Sequence, residues 1–579
     1  MAAQESFDGL RAYRLDVNVL MTLAAIGAAM IGRWAEGGTL IFLFSLSNTL
    51  EHYALERTKS AVRALMDLRP AEARLQIASG TKQVPVEILN VGDLILIKPG
   101  EKIPADGQIT AGRTTVDRST FTGESIPVEC DVRDEVLAGS LNLSGQITVR
   151  VSKRAADTAL AAIIHRVEQA QSGRVPTNTF VQWFGQRYTI GVLAGAALFA
   201  IVPPLLFDGA WRASSYRSLT LLVVASPCAL IISTPAAVLS AIGRAARRGV
   251  LFKGGSHLLA IGTVKAIAFD KTGTLTQGRA TVTDIHPLNG AGQQDLLALA
   301  AAVEAASTHP LAQGIVSTAL KKDISIPAVE NATTIPGLGA SGNVTFKGSS
   351  QRILVGNRRM FTAEGFTIDG VVEEAMQRLE EEGKTAVLVG SDRILGVIAL
   401  EDPPRPLATE ISQRLHEVGA HSISMLTGDH RRVAVAMAQR LGIDNVRAEL
   451  LPEEKADAVM ELMREHRRVA VVGDGVNDAP ALASATIGIA MGGAKNDVVL
   501  ETADVVLMSD DLSRLPFAMR LSQRTRRTIV QNLTFALIVI ALLLVGTFYG
   551  KIPLPLAVVG HEGSTLLVVL NSLRLLWFR

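Results

Sequence analysis

The sequence predicts a multidomain membrane protein in which an α-helical transmembrane domain of about six helices is combined with several soluble domains. Three observations support this fold class: long apolar segments, two large polar inserts between them, and different strand patterns in the two inserts. The composition agrees, since 48% of the 579 residues are hydrophobic, only 4% are aromatic, and the mean hydropathy is +0.29. Such values are high for a soluble protein and modest for one lying wholly in lipid.

The apolar segments occur in three pairs along the chain. They cover residues 17–34, 38–55, 188–207, 219–241, 528–549 and 553–577. The last four are long enough to cross about 30 Å of hydrocarbon, which takes about 20 helical residues. The first two are borderline, and we expect a helical hairpin rather than a signal peptide, because a second apolar run follows and no small-residue cleavage site leads into a folded domain.

The distribution of basic residues predicts the orientation in the membrane. An even number of spans puts both termini and both polar inserts, residues 56–187 and 242–527, on one side. Basic runs at 244–250 and 521–530 flank spans on that side, so the positive-inside rule makes it cytoplasmic. Arg212 and Arg217, in an outer loop, run against the rule.

Charge and cysteine content exclude two classes of protein. Lys and Arg number 57 against 55 Asp and Glu, so the net charge of +2 indicates no nucleic-acid partner. Cys130 and Cys228 lie far apart and form no CxxC motif, which makes a disulfide framework unexpected. We expect a monomeric chain whose non-protein partner is the lipid bilayer.

The two inserts have different strand patterns. Residues 84–107 alternate apolar and polar residues between Gly and Pro, which predicts a small all-β domain. The second insert alternates apolar runs that end in Gly/Asp loops, such as residues 264–274 and 469–478, with helical stretches. This pattern predicts an α/β domain with a parallel sheet, whose active site lies at the carboxyl ends of the strands.

Several strand ends in the second insert carry residues suited to phosphate chemistry. Asp270 ends one apolar run and is followed by small and hydroxyl residues, so its carboxylate can attack a phosphoryl group. Alone, such an Asp is usually structural. Asp474 and Asp478 can hold Mg²⁺ with it, because Mg²⁺ prefers hard oxygen ligands. Thr427 follows another strand, and Lys455 offers a point charge for the phosphoryl group.

Together these motifs resemble the phosphorylation domain of the P-type ATPases. The resemblance rests on Asp270–Thr276, Thr427–Asp429, Lys455 and Gly473–Pro480. It implies a haloacid-dehalogenase-like core in which Mg-ATP phosphorylates Asp270 while Thr427 and Lys455 steady the phosphate. The Mg²⁺ ligands implied are Asp270, Thr272, Asp474 and Asp478. Related phosphatases carry an acid where Thr272 stands, so its loss should make the phosphoenzyme longer lived.

The resemblance extends to the remaining soluble segments. The stretch "STFTGESIPVE" at 119–129 is similar to the actuator loop, in which Glu124 would be the general base for hydrolysis of the phosphoenzyme. Residues 280–395 resemble an α+β nucleotide-binding domain. The ATP-binding residues implied there are Glu304, His309, Gly337, Gly339, Gly356 and Asn357. Glycines at such positions let backbone approach the nucleotide closely.

The membrane segments carry a candidate site for a transported ion. Cys228 follows Pro227 in "VVASPCALII", and we expect the proline to free the carbonyl of Val223. His561 and Glu562 lie inside the last apolar segment, where ionisable residues are costly and usually functional. At 1.5 Å per residue, both motifs lie roughly 10–12 Å from the outer surface.

The chemistry of this set favours a borderline divalent metal. Thiolate, imidazole and carboxylate suit Zn²⁺, Co²⁺ or Cd²⁺, among which the sequence does not choose. The candidate ligands are Ser226, Cys228, His561, Glu562 and Thr565. The pair of motifs "SPC" and "HEGST" resembles the cobalt/zinc subgroup of heavy-metal P-type ATPases, whereas copper-exporting relatives carry cysteine where Ser226 stands.

The resemblance implies the following division of the chain. Residues 1–62 hold the first membrane hairpin, 63–180 the actuator domain, 181–245 the third and fourth membrane helices, 246–279 and 396–520 the phosphorylation domain, 280–395 the nucleotide-binding domain, and 521–579 the last two membrane helices. No Cys-rich or His-rich metal-binding domain precedes the first helices, and the two extra leading helices common among heavy-metal ATPases are not seen. We therefore expect no regulation by such a domain. Two explanations stay open for the leading helices, that members of the cobalt/zinc subgroup lack them or that a longer chain is truncated, and they leave a docking platform for a metal donor open as well.

The predicted function is ATP-driven export of a divalent transition metal through an aspartyl-phosphate intermediate. We expect the protein in the inner or plasma membrane, with its soluble domains in the cytoplasm. Three alternatives remain. A potassium-uptake ATPase subunit should lack the set Cys228, His561 and Glu562. A membrane-bound haloacid-dehalogenase-type phosphatase leaves the nucleotide-domain motifs unexplained, and a non-catalytic metal sensor leaves the filled catalytic positions unexplained.

Overall fold

The computed structural model describes residues 17–63, 70, 72–77, 80–117, 127–154, 158, 176–206, 210–307, 309–335, 338–474, 478–492, 502–509 and 511–578. The chain forms two compact units. One comprises Met1–Thr263 with Phe517–Arg579, and the other comprises Val264–Pro516.

Helices dominate the apolar parts of the first unit. Their bounds are Val17–Met30, Trp34–Arg63, Pro176–Leu206, Trp211–Val224, Cys228–Ala246, Gly255–Ile261, Arg514–Phe548 and Leu554–Leu573, with a 3-10 turn at Arg574–Trp577. Among the described residues, four stretches are long and apolar enough to cross a membrane: Arg187–Leu206, Trp211–Ala246, Arg514–Phe548 and Leu554–Trp577. The first two helices are joined by residues 31–33 and pack together as a hairpin, as the sequence predicts.

The apolar segment 219–241 does not form one helix. It breaks after Val224, and a new helix begins at Cys228. Our expectation that Pro227 frees the carbonyl of Val223 was wrong, because the Ser226 amide donates to that carbonyl at 3.2 Å. The chain turns before the proline instead of continuing past it, which leaves residues 225–227 outside regular helix.

Polar side chains tie the apolar helices together. The Tyr216 hydroxyl donates to the Glu36 carboxylate at 2.7 Å and accepts from the Leu554 amide at 2.8 Å. Asn532 donates to the Ser572 hydroxyl at 2.9 Å. Because polar groups in lipid need partners, such bonds fix which helices adjoin. They hold the helix that carries His561 beside the one that precedes Cys228.

The β-rich part of the first unit confirms the small all-β domain predicted for the first insert. Its larger sheet has the order Gly80–Pro85, Glu72–Ile77, Leu94–Ile97, Ile147–Val151, Gly107–Ala111 and Glu135–Val136. A second sheet has the order Val128–Cys130, Thr114–Asp117 and Leu141–Asn142. Alternate residues of the strands, such as Ile95, Ile97 and Val149, form the core. Cys130 is buried in this core, in keeping with a structural role.

The second unit contains a parallel sheet, and we call it with its helices the parallel-sheet domain. Its strands follow the order Val505–Leu507, Ile487–Met491, Val469–Gly473, Ala266–Asp270, Ser422–Leu426 and Asn445–Arg447. Its helices are Ala408–Glu417, Arg431–Leu441, Pro452–His466 and Ala479–Ser484. The strand that ends at Asp270 is flanked on both sides by parallel partners. Strand ends rich in acids therefore meet at one edge, as the α/β prediction requires.

An antiparallel sheet forms the rest of the second unit, and we call it with its helices the antiparallel-sheet domain. Its strands follow the order Thr281–Pro287, Ile394–Glu401, Thr385–Gly390, Ser349–Gly356, Gly339–Phe346 and Val329–Ile335. Its helices are Gln293–Glu304, Pro310–Lys321, Arg358–Ala363 and Gly370–Glu381. This arrangement has the α+β character expected of residues 280–395.

Candidate functional site

A buried carboxylate lies at the centre of the parallel sheet's carboxyl edge. Asp270 is the last residue of the strand Ala266–Asp270, every residue of which is buried. The strand forms because a run of small and apolar residues fills a layer covered on both faces. Asp270 is only 7% exposed, so its charge depends on what the neighbouring strand ends supply.

Lys455 and Asp478 supply that environment. The Lys455 ammonium donates to Asp270 Oδ1 at 2.6 Å and to Asp478 Oδ1 at 2.8 Å. Burial, with the nearby charge of Asp478, raises the pKa of Asp270 to about 7 against the opposing effect of Lys455. Burial alone would lower the pKa of Lys455, but the two carboxylates outweigh it and raise that pKa. The carboxylates of Asp270 and Asp478 therefore share one cation, the Lys455 ammonium.

One oxygen of this cluster has room for a further ligand. Asp478 Oδ2 is buried and forms no hydrogen bond to any residue that the structure describes. Gly473 lies against it, since a Cβ there would come within 2.7 Å of Oδ2. Asp474 lies close to the turn after Asp270, because a Cβ on Gly273 would meet its Oδ2 at 2.8 Å. Three carboxylates at one edge, one with an unused buried oxygen, fit a hard divalent cation.

The turn after Asp270 is held by two residues far along the chain. Gly273 has a φ of +72°, a conformation that favours glycine. Arg405 donates to the carbonyls of Thr274 and Gly273 at 3.0 and 2.7 Å. Asp402 accepts from the buried Thr276 hydroxyl at 2.6 Å. These hydrogen bonds hold the backbone of the turn after Asp270 in one conformation.

A second ion pair lies beside the strand Ala266–Asp270. The Lys271 ammonium donates to the Asp429 carboxylate, and Asp429 is itself anchored because its amide donates to the Thr427 hydroxyl at 3.1 Å. Thr427 is 2% exposed at the end of the strand Ser422–Leu426. Thr272, half-buried, is in extended conformation between Lys271 and Gly273. The predicted residues Asp270, Thr272, Thr427, Lys455, Asp474 and Asp478 thus all belong to one edge of one sheet.

The first unit contains a separate ionisable cluster among its apolar helices. Cys228 Sγ, an imidazole nitrogen of His561 and a carboxylate oxygen of Glu562 all lie within 4.8 Å of one another. His561 is 1% exposed, and neither of its ring nitrogens is hydrogen-bonded to a described residue. Burying unsatisfied imidazole nitrogens costs free energy, so the arrangement is expected only where a ligand completes it.

The other two predicted ligands are close to this cluster in different ways. Ser226, fully buried, has its hydroxyl 3.3 Å from Cys228 Sγ, so it lies beside the thiol. Thr565 donates its hydroxyl to the backbone carbonyl of His561 at 3.3 Å. Ser226 can therefore present an oxygen to the same ion, whereas the Thr565 hydroxyl proton is occupied by the helix backbone.

Comparisons with known proteins identify the family of this chain. A model of the P-type ATPase actuator domain matches residues 67–168, and a model of haloacid dehalogenase-like hydrolases matches residues 264–486. A probable cadmium-transporting ATPase of Staphylococcus aureus (strain MRSA252) is 44% identical over 98% of this chain and 79% of the relative. This chain belongs to the P-type ATPases.

Two further relatives of this ATPase support the assignment. The zinc-transporting ATPase of Bacillus subtilis (strain 168) is 43% identical over 98% of this chain and 88% of the relative. The chain also matches the crystal structure of a zinc-transporting PIB-type ATPase in the E2.Pi state, with 40% sequence identity and a TM-score of 0.62. The match covers 99% of this chain and 93% of that chain. The family and the fold class predicted from the sequence are confirmed.

Among the residues predicted to bind ATP in this ATPase, Glu304 is buried, and His309 and Asn357 cap helices. Glu304, at the end of the helix Gln293–Glu304, is buried, and this burial raises its pKa to about 7. His309 begins the helix Pro310–Lys321, and its Nδ1 accepts from the Leu311 amide at 3.3 Å. Asn357 caps the helix Arg358–Ala363 by accepting from the Met360 amide at 3.1 Å, which is a structural role.

Two of the predicted glycines face each other across adjacent strands. Gly339, with a φ of +154°, pairs with Gly356, and a Cβ on Gly339 would lie 2.5 Å from the Gly356 Cα. Close approach of the two backbones therefore requires glycine at this pair. Glu124 and Gly337 lie outside the described residues.

Sequence analysis does not predict the residues that hold the turn after Asp270 in place. Asp402 and Arg405 belong to "DPPRP" at 402–406, a stretch that the sequence analysis does not single out. Lys271 was read only as part of the motif around Asp270. Charged residues next to prolines at the border of an apolar strand were the available signal for Asp402 and Arg405.

Proposed function

We propose that this ATPase exports a divalent transition metal, Zn²⁺, Co²⁺ or Cd²⁺, across the membrane that its apolar helices span. The observation that carries the proposal is the cluster of Cys228, His561 and Glu562, with donor atoms within 4.8 Å of one another. Sulfur, imidazole and carboxylate together suit borderline ions and are a poor set for Mg²⁺ or K⁺. The cadmium- and zinc-transporting names of relatives support the same substrate class.

In the proposed reaction Asp270 is the nucleophile. An oxygen of its carboxylate attacks the γ-phosphorus of ATP, the bond to the ADP oxygen breaks, and an aspartyl-phosphate forms. Lys455 holds Asp270 Oδ1 and balances the negative charge that accumulates there. The turn held by Arg405 and Asp402 presents backbone amides after Asp270 without further rearrangement. Thr427, at the adjacent strand end, completes the proposed set.

Mg²⁺ is the cofactor that we propose for this edge of the sheet. Asp270, Asp474 and Asp478 would hold it, with Thr272 contributing from the turn. The unused buried Asp478 oxygen supports this assignment. A bound Mg²⁺ supplies positive charge for the phosphoryl oxygens and favours the ionised carboxylate of Asp270.

Hydrolysis then resets the cycle. We propose that Glu124 accepts a proton from the water that attacks the aspartyl-phosphate, which releases phosphate and regenerates Asp270. The soluble domains, with the boundaries given from the sequence, work on the cytoplasmic side of an inner or plasma membrane, and the chain acts as a monomer. ATP enters the domain that carries Glu304 and His309, and the metal leaves on the opposite side by alternating access.

A panel of metals tests the proposal. The purified protein is assayed for ATPase activity with Zn²⁺, Co²⁺, Cd²⁺, Ni²⁺, Fe²⁺ and Cu⁺, alongside Cys228→Ala and the matched control Cys130→Ala. We expect stimulation by Zn²⁺, Co²⁺ or Cd²⁺, its loss in Cys228→Ala and its retention in Cys130→Ala. Stimulation by no metal, or undiminished stimulation in Cys228→Ala, would contradict the export of these ions through this site.

A further inference from the structure

Four charged residues link the two domains of the second unit, and we call them the closure network: Arg358, Glu373, Glu380 and Arg432. The antiparallel-sheet domain contributes the first three. Arg358 donates through Nε to Glu373 at 2.9 Å and through a terminal nitrogen to Glu380. The parallel-sheet domain contributes Arg432, whose guanidinium lies 3.9 Å from Glu373 and 3.7 Å from Glu380. Two acids are therefore shared by arginines from both sides of the domain boundary.

Glu380 is the central residue of the network. Its side chain is only 3% exposed, and its Oε1 is paired with Arg358. Its Oε2 is buried and forms no hydrogen bond to a described residue. The other domain contributes two groups close to this oxygen, the Arg432 guanidinium at 3.7 Å and Nδ1 of His430 at 3.6 Å, and only Arg432 is a permanent cation. Half of a buried carboxylate thus depends on the other domain for its counter-charge.

The network is anchored close to the phosphorylation site. Arg432 lies in the first turn of the helix Arg431–Leu441, which follows the segment with Thr427 and Asp429. His430 caps this helix, since its Nδ1 accepts from the Arg432 amide at 3.4 Å. Asp429 in turn pairs with Lys271, the neighbour of Asp270. Movement of Arg432 is therefore coupled through a short backbone path to the strand ends that surround the nucleophile.

The strength of the cross-boundary contact suits a link that opens and closes. Arg432 is 43% exposed and its ion pairs are long, so water screens them and their contribution is small. The pairs within the antiparallel-sheet domain are shorter, and the hydrogen bond from Arg358 lowers the pKa of Glu373. The contacts of Arg358 with the two acids are therefore the stronger ones in the network, and those of Arg432 are the weaker ones.

We propose that Arg432 is a positioning residue for ATP-dependent phosphorylation: by pairing with Glu380 and Glu373 it holds the antiparallel-sheet domain closed against the phosphorylation site while ATP reacts. The proposal rests on the proposed phosphorylation of Asp270 by ATP. Formation of the phosphoenzyme from inorganic phosphate, the reverse of its hydrolysis, uses the same aspartate but needs no nucleotide. A closure contact should therefore affect the first reaction and spare the second.

The test compares Arg432→Gln with Arg431→Gln in the full-length protein. Both residues are exposed arginines in the same helical turn, so the two variants remove the same charge. Unlike Arg432, Arg431 forms no side-chain hydrogen bond or ion pair with another described residue. For each we measure the KM for ATP, kcat, and phosphoenzyme formed from ATP or from inorganic phosphate. We expect Arg432→Gln to raise the KM for ATP about 2- to 5-fold, as loss of a screened ion-pair contact implies. Arg432→Lys should recover part of this loss, because it restores the charge.

The outcomes separate the two proposals. If Arg432→Gln matches Arg431→Gln in its KM for ATP, the closure role is refuted. If Arg432→Gln lowers phosphorylation from ATP and from inorganic phosphate equally, Arg432 acts on the phosphorylation site and not on closure. If the wild-type protein forms no phosphoenzyme from either source, the proposed phosphorylation of Asp270 fails independently of Arg432.

Discussion

The two buried ionisable clusters of this ATPase are compensated in different ways. At the proposed phosphorylation site, Lys455 bridges Asp270 and Asp478, so protein groups already balance much of the charge. In the apolar helices, neither nitrogen of His561 is hydrogen-bonded to a described residue, although Cys228 and Glu562 lie within 4.8 Å. A site for a transient phosphoryl group can be completed by the protein between turnovers, whereas a site for a passing ion must leave donor atoms unused.

The largest expected effect is in a variant that should lose phosphorylation and ATPase activity but keep its metal binding. Asp270→Asn removes the nucleophile but keeps the shape of the side chain, so phosphoenzyme and ATPase activity should fall by at least about 10³-fold. Metal binding, measured by equilibrium dialysis with Zn²⁺, should stay at the wild-type level because the cluster at Cys228 contains none of these atoms. Asp392→Asn, at an exposed position, is the control. Turnover retained in Asp270→Asn would refute the proposed mechanism.

The second effect tests whether the unused donors have a cost. His561→Leu removes two buried nitrogens that form no hydrogen bond to a described residue. The free energy of unfolding of the metal-free variant should therefore equal that of wild type or exceed it by up to about 1–3 kcal/mol. Metal-stimulated ATPase activity should fall about 10²-fold, since a ligand is lost. Thermal unfolding without metal and ATPase assays with Zn²⁺ measure the two quantities.

The control for this variant is Val559→Ala on the exposed face of the same helix, which should leave metal stimulation close to wild type. A large loss of stability in His561→Leu together with retained metal stimulation would show that the imidazole serves packing and not the ion.

The third effect adjusts the softness of the metal cluster. Ser226→Cys would put a second sulfur beside Cys228, whose Sγ lies 3.3 Å from the present hydroxyl. Under reducing conditions we expect the ratio of Cu⁺ to Zn²⁺ stimulation to rise about 10- to 100-fold, because thiolates favour soft ions. Ser233→Cys, also buried in the helix that begins at Cys228, is the matched control. An equal shift in both variants would remove Ser226 from the metal site.

The same comparison shows what could be read from the sequence. Asp270 and Asp478 could be grouped from the sequence, because parallel strands bring their carboxyl ends to one edge whatever lies between them. Lys455 lies in the helix Pro452–His466 and could be added only through the resemblance to the P-type ATPases. Cys228 and His561 could be grouped by their matching depths in two apolar segments. Both inferences rest on regular geometry that a short motif is enough to locate.

The features that were missed depend on irregular backbone or on distant partners. The break between Val224 and Cys228 was not predicted, because hydropathy gives one apolar segment over residues 219–241 and does not distinguish one helix from two. Asp402 binds Thr276 across 126 residues of sequence, and no periodic pattern records that contact. The pairing of Glu380 with Arg432 has the same origin, because it forms only once two separate domains have folded.

The smallest effect extends the comparison to a third buried ionisable group, Glu304, which no described cation accompanies closely. Burial raises the pKa of Glu304 to about 7, so its charged form is disfavoured in the folded protein. Stability should therefore be fully present below the ordinary pKa near 4.5 and should be lost as pH rises towards 7. Because the carboxyl keeps some contact with solvent, we expect a loss of only about 1 kcal/mol by pH 8.

Glu304→Gln should abolish this pH dependence, because an amide does not ionise. Hydrogen exchange of the helix Gln293–Glu304 in the full-length protein, compared at pH 5 and pH 8, measures the local free energy of opening. At pH 8 the variant should exchange about fivefold more slowly than wild type, after correction for the intrinsic rates, and at pH 5 the two should agree. Glu374→Gln, an exposed glutamate, should change neither value. Equal exchange in Glu304→Gln and wild type at pH 8 would mean that ionisation of Glu304 does not destabilise this helix.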